Sequence, residues 1–226
     1  MFTTLTRKLI MCLTGLFLCF FLIIHFLGNL QLFLPAAEAH TKFNAYSHFL
    51  SGNILIKIVS YILYSCLILH AVDALFITLK NKKAAKPYRH DRRKRASKWY
   101  SRNMGLLGTL ILIFLVIHFK NFWYVYKFGS LPLDADGHKD LYILVVTTFK
   151  EGWYVLLYVL SMAALCYHLI HGVHSAARTL GLFHPKYVRW IKISGILYAV
   201  IISAGFAMMP LYIYFIQQDN LYIVTR

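Results

Sequence analysis

The 226-residue chain is 59% hydrophobic and 16% aromatic, and it carries a formal net charge of +16. Its mean hydropathy of +0.60 lies well outside the range of soluble globular domains. The composition therefore excludes an ordinary soluble enzyme and indicates a protein of the membrane.

Apolar windows long enough to cross a bilayer recur five times along the chain. A spanning helix needs roughly 20 mostly apolar residues. The first window is too long for the apolar core of a signal peptide and is followed by no small-residue cleavage pattern, so we expect a retained helix. The sequence predicts an all-α integral membrane protein with one domain over residues 1–226. The predicted spans are about 9–34, 54–79, 104–127, 152–177 and 191–217.

The basic residues predict the orientation of these spans. Seventeen of the 24 Lys and Arg residues fall before the first window, between the second and third, or around the link between the fourth and fifth. Short loops rich in Lys and Arg remain on the cytoplasmic side. We therefore expect the N-terminus in the cytoplasm and the C-terminus outside. The run KNKKAAKPYRHDRRKR is then a topology signal facing anionic lipid headgroups, rather than a nucleic-acid site.

Other kinds of site have no support in the sequence. The four cysteines lie in apolar windows without a C-x-x-C pair or a C-x-x-C-H motif, which argues against structural zinc and covalently attached haem. Neither a phosphate-binding loop nor a G-x-G-x-x-G motif occurs. Chemistry must therefore come from polar groups inside the membrane.

Histidines dominate those intramembrane groups. Ionisable residues are costly in hydrocarbon and are functional candidates by default. The first four windows each carry at least one histidine, and the fifth carries none. A single histidine in a helix is usually a packing residue, but packing does not require one in each of four successive helices. The candidates are His25, His70, His118 and the group His168, His171 and His174.

Depth sorts the histidines into pairs. With a rise of roughly 1.5 Å per residue, His25 lies about 26 Å beyond Lys8 and His118 about 24 Å beyond Arg102. The same rise places His70 and His168 each about 15 Å from the cytoplasmic edge of its helix. His171 would lie at roughly 11 Å, a poorer match to His70.

Two histidines on facing helices at one depth can hold a haem iron from opposite sides. The two levels therefore predict two b-type haems within a bundle of the first four helices. His25 and His118 would bind one haem near the outer surface, and His70 and His168 would bind the other nearer the cytoplasm. His171, one turn away, stays open as the alternative fourth ligand.

The four-histidine, five-helix order resembles the di-haem cytochrome b subunit of succinate:quinone oxidoreductases, in its single-anchor, five-helix group. The likeness covers essentially the whole chain and includes HFLGN at His25 and H-x-x-x-G at His168–Gly172. It implies a subunit of the bacterial cytoplasmic membrane that anchors a flavoprotein and an iron-sulfur protein. It also implies electron exchange with a membrane quinone, more often menaquinone than ubiquinone, by a chain that is not catalytic alone.

A quinone site is expected at the outer end of the first helix. The segment EAHTKFNAYSHF follows that helix and is rich in acid, base and amide groups. Quinone chemistry moves protons as well as electrons, so such groups are needed near it. The alternative is an amphipathic interfacial helix with no role in chemistry. The candidate quinone residues are Asn29, Glu38, Asn44 and His48.

Other interpretations remain open at this stage. The chain could be a di-haem cytochrome of another respiratory dehydrogenase, one that serves formate or hydrogen. It could instead be a non-haem metal transporter, whose ligands should converge at one depth, or a structural anchor without a cofactor. For Asp73, we expect an interfacial carboxylate paired with Lys80 or Arg178, the alternative being a hydrogen-bonding partner near the inner haem.

Overall fold

The computed structural model describes residues 3–84 and 98–217. Most of the basic run, with Asp91, and the C-terminal segment with Asp219 lie outside the described residues. All of the long elements are helices. We label them α1 (Thr4–Asn29), α2 (Ala36–Gly52), α3 (Ile54–Ala84), α4 (Met104–Phe128), α5 (Leu141–Thr148), α6 (Gly152–Thr179) and α7 (Val188–Ile216).

Five of these helices are long and apolar enough to cross a membrane, which confirms the predicted number of spans. The observed spans are Leu5–Phe33, Ile54–Lys83, Met104–Phe128, Gly152–Thr179 and Val188–Ile216. Each agrees with its predicted window to within a few residues. The first span exceeds α1 because a short 3₁₀ turn, Leu30–Phe33, continues it. The protein is a multi-pass, all-helical membrane protein.

Four of the spanning helices form a square. α1 packs against α3 and α6, and α4 packs against the same two helices. The diagonal partners, α1 with α4 and α3 with α6, make few or no close backbone approaches. α7 lies outside the square, with its main contact along α6 and a lesser one with α1. Side chains that meet across a diagonal therefore lie in the centre of the bundle.

Small residues allow the helices to approach closely at several points, as is common between membrane helices. A Cβ atom at Gly195 of α7 would lie 3.0 Å from the Val173 side chain of α6. At Gly205, a Cβ atom would collide with the Phe26 ring of α1.

α7 remains helical through the buried Pro210.

The shorter elements cover one end of the bundle, which we call the upper end; the opposite end, where α1 begins and α6 ends, is the lower end. α2 folds back onto α1 at Gly28, where any side chain would meet the Tyr46 ring. α5 and a short hairpin, closed by a bridge between Leu133 and Lys139, lie beside α2. The segment EAHTKFNAYSHF, for which an interfacial helix was the alternative to a quinone site, lies within the helix α2.

A buried polar network holds this upper cap together. Asn44 has no exposed surface; its amide nitrogen donates to Asp140 Oδ1 at 3.0 Å, and its oxygen accepts from the Tyr142 backbone N–H at 2.9 Å. The Tyr142 hydroxyl donates to Gln217 Oε1 at 3.0 Å, and the Gln217 amide donates to the Leu32 carbonyl at 3.1 Å. Because buried amides that lose a partner are costly, this network fixes α2 and α5 over the ends of α1 and α7.

Candidate functional site

The centre of the bundle contains two pairs of histidines, each pair on a diagonal. In the upper pair, His25 of α1 and His118 of α4 have ring centres 5.9 Å apart and ring planes at 86°. In the lower pair, His70 of α3 and His168 of α6 have ring centres 6.2 Å apart at 63°. The folded chain thus brings together the same two pairs that the depth argument predicts, while their role as ligands remains a prediction.

Aromatic side chains surround the upper pair. Phe21 and Phe206 lie 5.3 and 5.5 Å from the His25 ring, centre to centre. Phe114 and Phe122 lie 5.7 and 5.4 Å from the His118 ring. An apolar planar group inserted between the histidines would therefore meet rings rather than charges.

The hydrogen bonds of the upper pair engage one nitrogen of each ring. His118 Nδ1 lies 3.2 Å from the Tyr158 hydroxyl of α6, and His25 Nδ1 lies 3.4 Å from the amide nitrogen of Asn29. The Asn29 amide nitrogen can only donate, so it cannot accept a hydrogen bond from His25 Nδ1. The Tyr158 hydroxyl can accept from His118 Nδ1–H, which leaves Nε2 of His118 for a further ligand. A second partner of this kind fixes the orientation of a ligating imidazole in metal sites generally.

α4 changes its winding directly after His118. Residues Phe119–Tyr124 form a π-helical turn before α-helix resumes at Val125. Single π turns are rare and are found frequently at functional sites. The extra residue rotates the remainder of α4, and Trp123 donates its indole N–H to the Tyr64 hydroxyl of α3 at 2.8 Å.

The lower pair has a similar arrangement, with a glycine beside each ring. His70 Nδ1 lies 3.2 Å from the Thr14 hydroxyl of α1, whereas His168 Nδ1 is buried and has no hydrogen-bond partner among the described residues. Two glycines face these rings: a Cβ atom would lie 3.2 Å from His70 Cε1 at Gly15 and 3.9 Å from His168 Cε1 at Gly108. Larger residues on α1 and α4 would occupy the space beside the imidazoles.

The two other histidines of α6 point to different surroundings. The His171 ring lies 6.4 Å from the Tyr100 ring, and His174 Nε2 lies 3.3 Å from the Lys192 carbonyl oxygen. Of the three α6 histidines, His168 is the one whose ring lies beside that of His70.

The spacing within each pair fits two axial ligands of one iron. A metal lies roughly 2 Å from a ligating imidazole nitrogen, and that nitrogen lies about 1 Å from the ring centre. Two imidazoles on opposite sides of one iron therefore have centres roughly 6 Å apart, close to the observed 5.9 and 6.2 Å. Residues 3–84 and 98–217 contain no group of three or more His, Cys, Asp or Glu side chains placed to hold a bare metal ion. A porphyrin supplies four ligands itself and needs only two from the protein.

Asp73, one turn beyond His70, forms an ion pair at the lower end. Its Oδ1 lies 2.7 Å from Arg7 Nη1, and the Arg7 guanidinium also lies 4.6 Å from the centre of the Phe76 ring. A paired carboxylate was the preferred expectation, but its partner is Arg7 of α1 rather than Lys80 or Arg178. Arg7 and Asp73 are 66 residues apart in the sequence, so the residues near Asp73 in the chain do not reveal this pair.

The four candidate quinone residues lie in different surroundings. Asn29 donates to the His25 carbonyl at 2.7 Å, and Glu38 forms an exposed ion pair with Lys42. Asn44 is fully buried within the cap network. The exposed His48 has its ring centre 4.3 Å from that of His138.

Sequence reasoning missed the polar hairpin beside these residues. His40 Nε2 lies 2.7 Å from Asp140 Oδ2, and these two residues and Asp134 line a surface cavity of about 320 Å³. Burial raises the pKa of Asp134, but hydrogen bonds to its carboxylate, including those from the His138 and Asp136 N–H groups, outweigh this and lower the pKa overall. The string LDADGHKD, which follows the third window, contains the acids and the histidine of this hairpin and could have indicated it.

Comparisons with known proteins identify no relative. No family model, curated protein or solved structure matches this chain.

Proposed function

We propose that the chain is the di-haem cytochrome b anchor subunit of a succinate:quinone oxidoreductase in the bacterial cytoplasmic membrane. The observation that supports this most is the placement of two histidine pairs on opposite diagonals of one four-helix square. Five spanning helices and two levels of histidine also match the arrangement implied by the sequence resemblance.

In this proposal each residue has a defined task. His25 and His118 bind one haem, and His70 and His168 bind the other, through Nε2. Tyr158 and Thr14 orient His118 and His70 through Nδ1. Phe21, Phe114, Phe122 and Phe206 exclude water from the upper level. The bound haems supply one-electron transfer across the bilayer.

The geometry favours this proposal over a metal transporter. A bare transition metal needs three or four protein ligands at one depth, whereas these histidines stand as two separate pairs at two levels. A purely structural anchor would gain nothing from costly imidazoles placed opposite one another in the bundle centre.

The lower end would carry the flavoprotein and iron-sulfur partners on the cytoplasmic side, with the N-terminus of the chain. The basic residues that precede α4 would then attract the iron-sulfur subunit electrostatically. The upper end would hold menaquinone near His25, with protons exchanged through His48 and its neighbours.

The partner identity tests the succinate assignment directly. Gentle purification of the chain from membranes should recover a flavoprotein and an iron-sulfur protein, and succinate should reduce the haem of that complex. The chain alone should oxidise no succinate. Recovery of a formate- or hydrogen-oxidising partner would replace this assignment while keeping the cytochrome.

Substitution of single histidines should produce two spectral classes. His25→Ala and His118→Ala should each remove the same haem, and His70→Ala and His168→Ala the other, because each iron needs both axial ligands. Reduced-minus-oxidised spectra of the four variants provide the measurement, with His174→Ala as the matched control that keeps both haems. If the His168→Ala variant kept both haems and the His171→Ala variant lost the lower one, the fourth ligand would be His171, one helical turn away, instead of His168.

The hydrogen bonds to Nδ1 should tune the two haems separately. Tyr158→Phe removes the acceptor beside His118, which makes the imidazole a poorer electron donor and raises the upper haem's midpoint potential. A lost hydrogen bond of about 1 kcal/mol corresponds to roughly 40 mV for one electron. Thr14→Val should shift the lower haem alone, so each variant is the control for the other in a redox titration. Equal shifts of both haems in either variant would contradict these assignments.

The quinone residues should separate into two kinds on substitution. His48→Ala should reduce quinone-coupled turnover and leave both haem spectra and the unfolding temperature unchanged. Asn44→Ala breaks the buried cap network and should lower the free energy of unfolding by about 1–3 kcal/mol. Full turnover in His48→Ala, with loss in Asp73→Asn or His174→Ala, would place the quinone at the lower end.

A further inference from the structure

The link between α6 and α7 brings two cations to one aromatic ring. The Arg178 guanidinium carbon lies 4.7 Å from the centre of the Phe183 ring, and Lys192 Nζ lies 5.5 Å from the same centre. Arg178 is in the last turn of α6, and Lys192 is near the start of α7. The two cations are therefore at most about 10 Å apart, and like charges at such a separation repel one another unless an anion lies near both of them.

The backbone of the link fixes this arrangement. Gly181 has a φ of 73°, in the left-handed region that favours glycine, and the Leu182 N–H donates to the Ala177 carbonyl at 2.9 Å. This is the pattern of a helix-terminating Schellman turn. It reverses the chain directly after α6 and places the Phe183 ring within cation–π distance of both cations. The tight contact of Gly195 with Val173 holds α7 against α6 just beyond the link.

No carboxylate neutralises this pair among the residues that the structure describes. The ion pairs found there use Asp73, Asp134, Asp140 and Glu38, and none of them involves Arg178 or Lys192. Both cations are exposed. Within residues 3–84 and 98–217, the site is therefore open to an anion from outside the chain.

The position of the site indicates which anion reaches it. The span Gly152–Thr179 ends and the span Val188–Ile216 begins at this link, so Arg178 and Lys192 each lie within about one helical turn of the end of a span. Exposed apolar side chains flank them: Trp190 is 70% exposed, and Leu182 and Ile193 are 45% and 38% exposed. Tryptophan at a span end typically lies at headgroup level. Cations beside apolar side chains match a lipid, which presents a phosphate joined to acyl chains.

We propose that Arg178, Lys192 and Phe183 form a binding site for the phosphate of an anionic phospholipid. The two cations contact the phosphate, and Trp190 and Leu182 lie along the glycerol and acyl region. The ring of Phe183 keeps both cations in place before the lipid binds, which reduces the ordering cost of binding. A zwitterionic lipid offers the same phosphate but adds a positive charge, so the site should prefer a net negative headgroup. This proposal does not depend on the haem assignment.

Lipid titration of the purified full chain tests the site. Native mass spectrometry should show tighter binding of phosphatidylglycerol than of phosphatidylcholine. The double variant Arg178→Gln/Lys192→Gln should weaken phosphatidylglycerol binding by at least about tenfold, since each charge near an anionic surface contributes about fivefold, or roughly 1 kcal/mol. Phosphatidylcholine binding should change little. Phe183→Leu keeps both charges and should lose part of the preference.

The matched control is Lys186→Gln/Arg189→Gln, which removes two charges from the same link but none that contacts Phe183. It should leave the preference for phosphatidylglycerol within about twofold. Circular dichroism and thermal unfolding confirm that all variants fold. An equal loss of phosphatidylglycerol binding in the control would show that general charge attraction explains the effect, and it would overturn the proposed site. Unchanged lipid binding in the double variant, with or without loss of an acidic protein partner, would overturn it as well.

Discussion

The cost of placing imidazole groups in hydrocarbon is the constraint on which this structure depends. A polar ring in the bilayer centre is stable only where it faces the bundle interior and finds a partner. Here each ring faces another histidine across a diagonal, and Tyr158, Thr14 and Asn29 supply polar contacts to three of the four rings. The square of α1, α3, α4 and α6 is the arrangement that gives four histidines on four helices this access to the centre.

α6 contributes to both histidine levels of this arrangement. It packs against α1, α4 and α7, and it supplies both His168 for the lower pair and Tyr158 for the upper one. α7 contributes no histidine, but it supports α6 along its length and provides Phe206 beside His25. At the upper end, the network around Asn44 secures the covering elements. At the lower end, the Arg7–Asp73 pair ties α1 to α3.

The sequence predicted well what local composition and helical rise determine. The five spans and the equal depths of His25 with His118 and of His70 with His168 follow from hydropathy and 1.5 Å per residue. The π turn after His118 and the partnership of Asp73 with Arg7 were not predicted, because each depends on packing between helices distant in sequence. Asn44 was grouped with His48 by proximity in the chain, whereas one is buried and the other exposed. Burial of this kind depends on where α5 and α7 end.

The stoichiometry of haem tests the central claim most directly. A pyridine haemochrome assay on the purified chain, combined with its reduced-minus-oxidised spectrum, counts bound protohaem per polypeptide. Two histidine pairs at two levels predict two protohaems per chain, held without covalent attachment. A chain that folds with its five spans intact and binds no haem, under conditions where haem is supplied in excess during expression, would contradict the account.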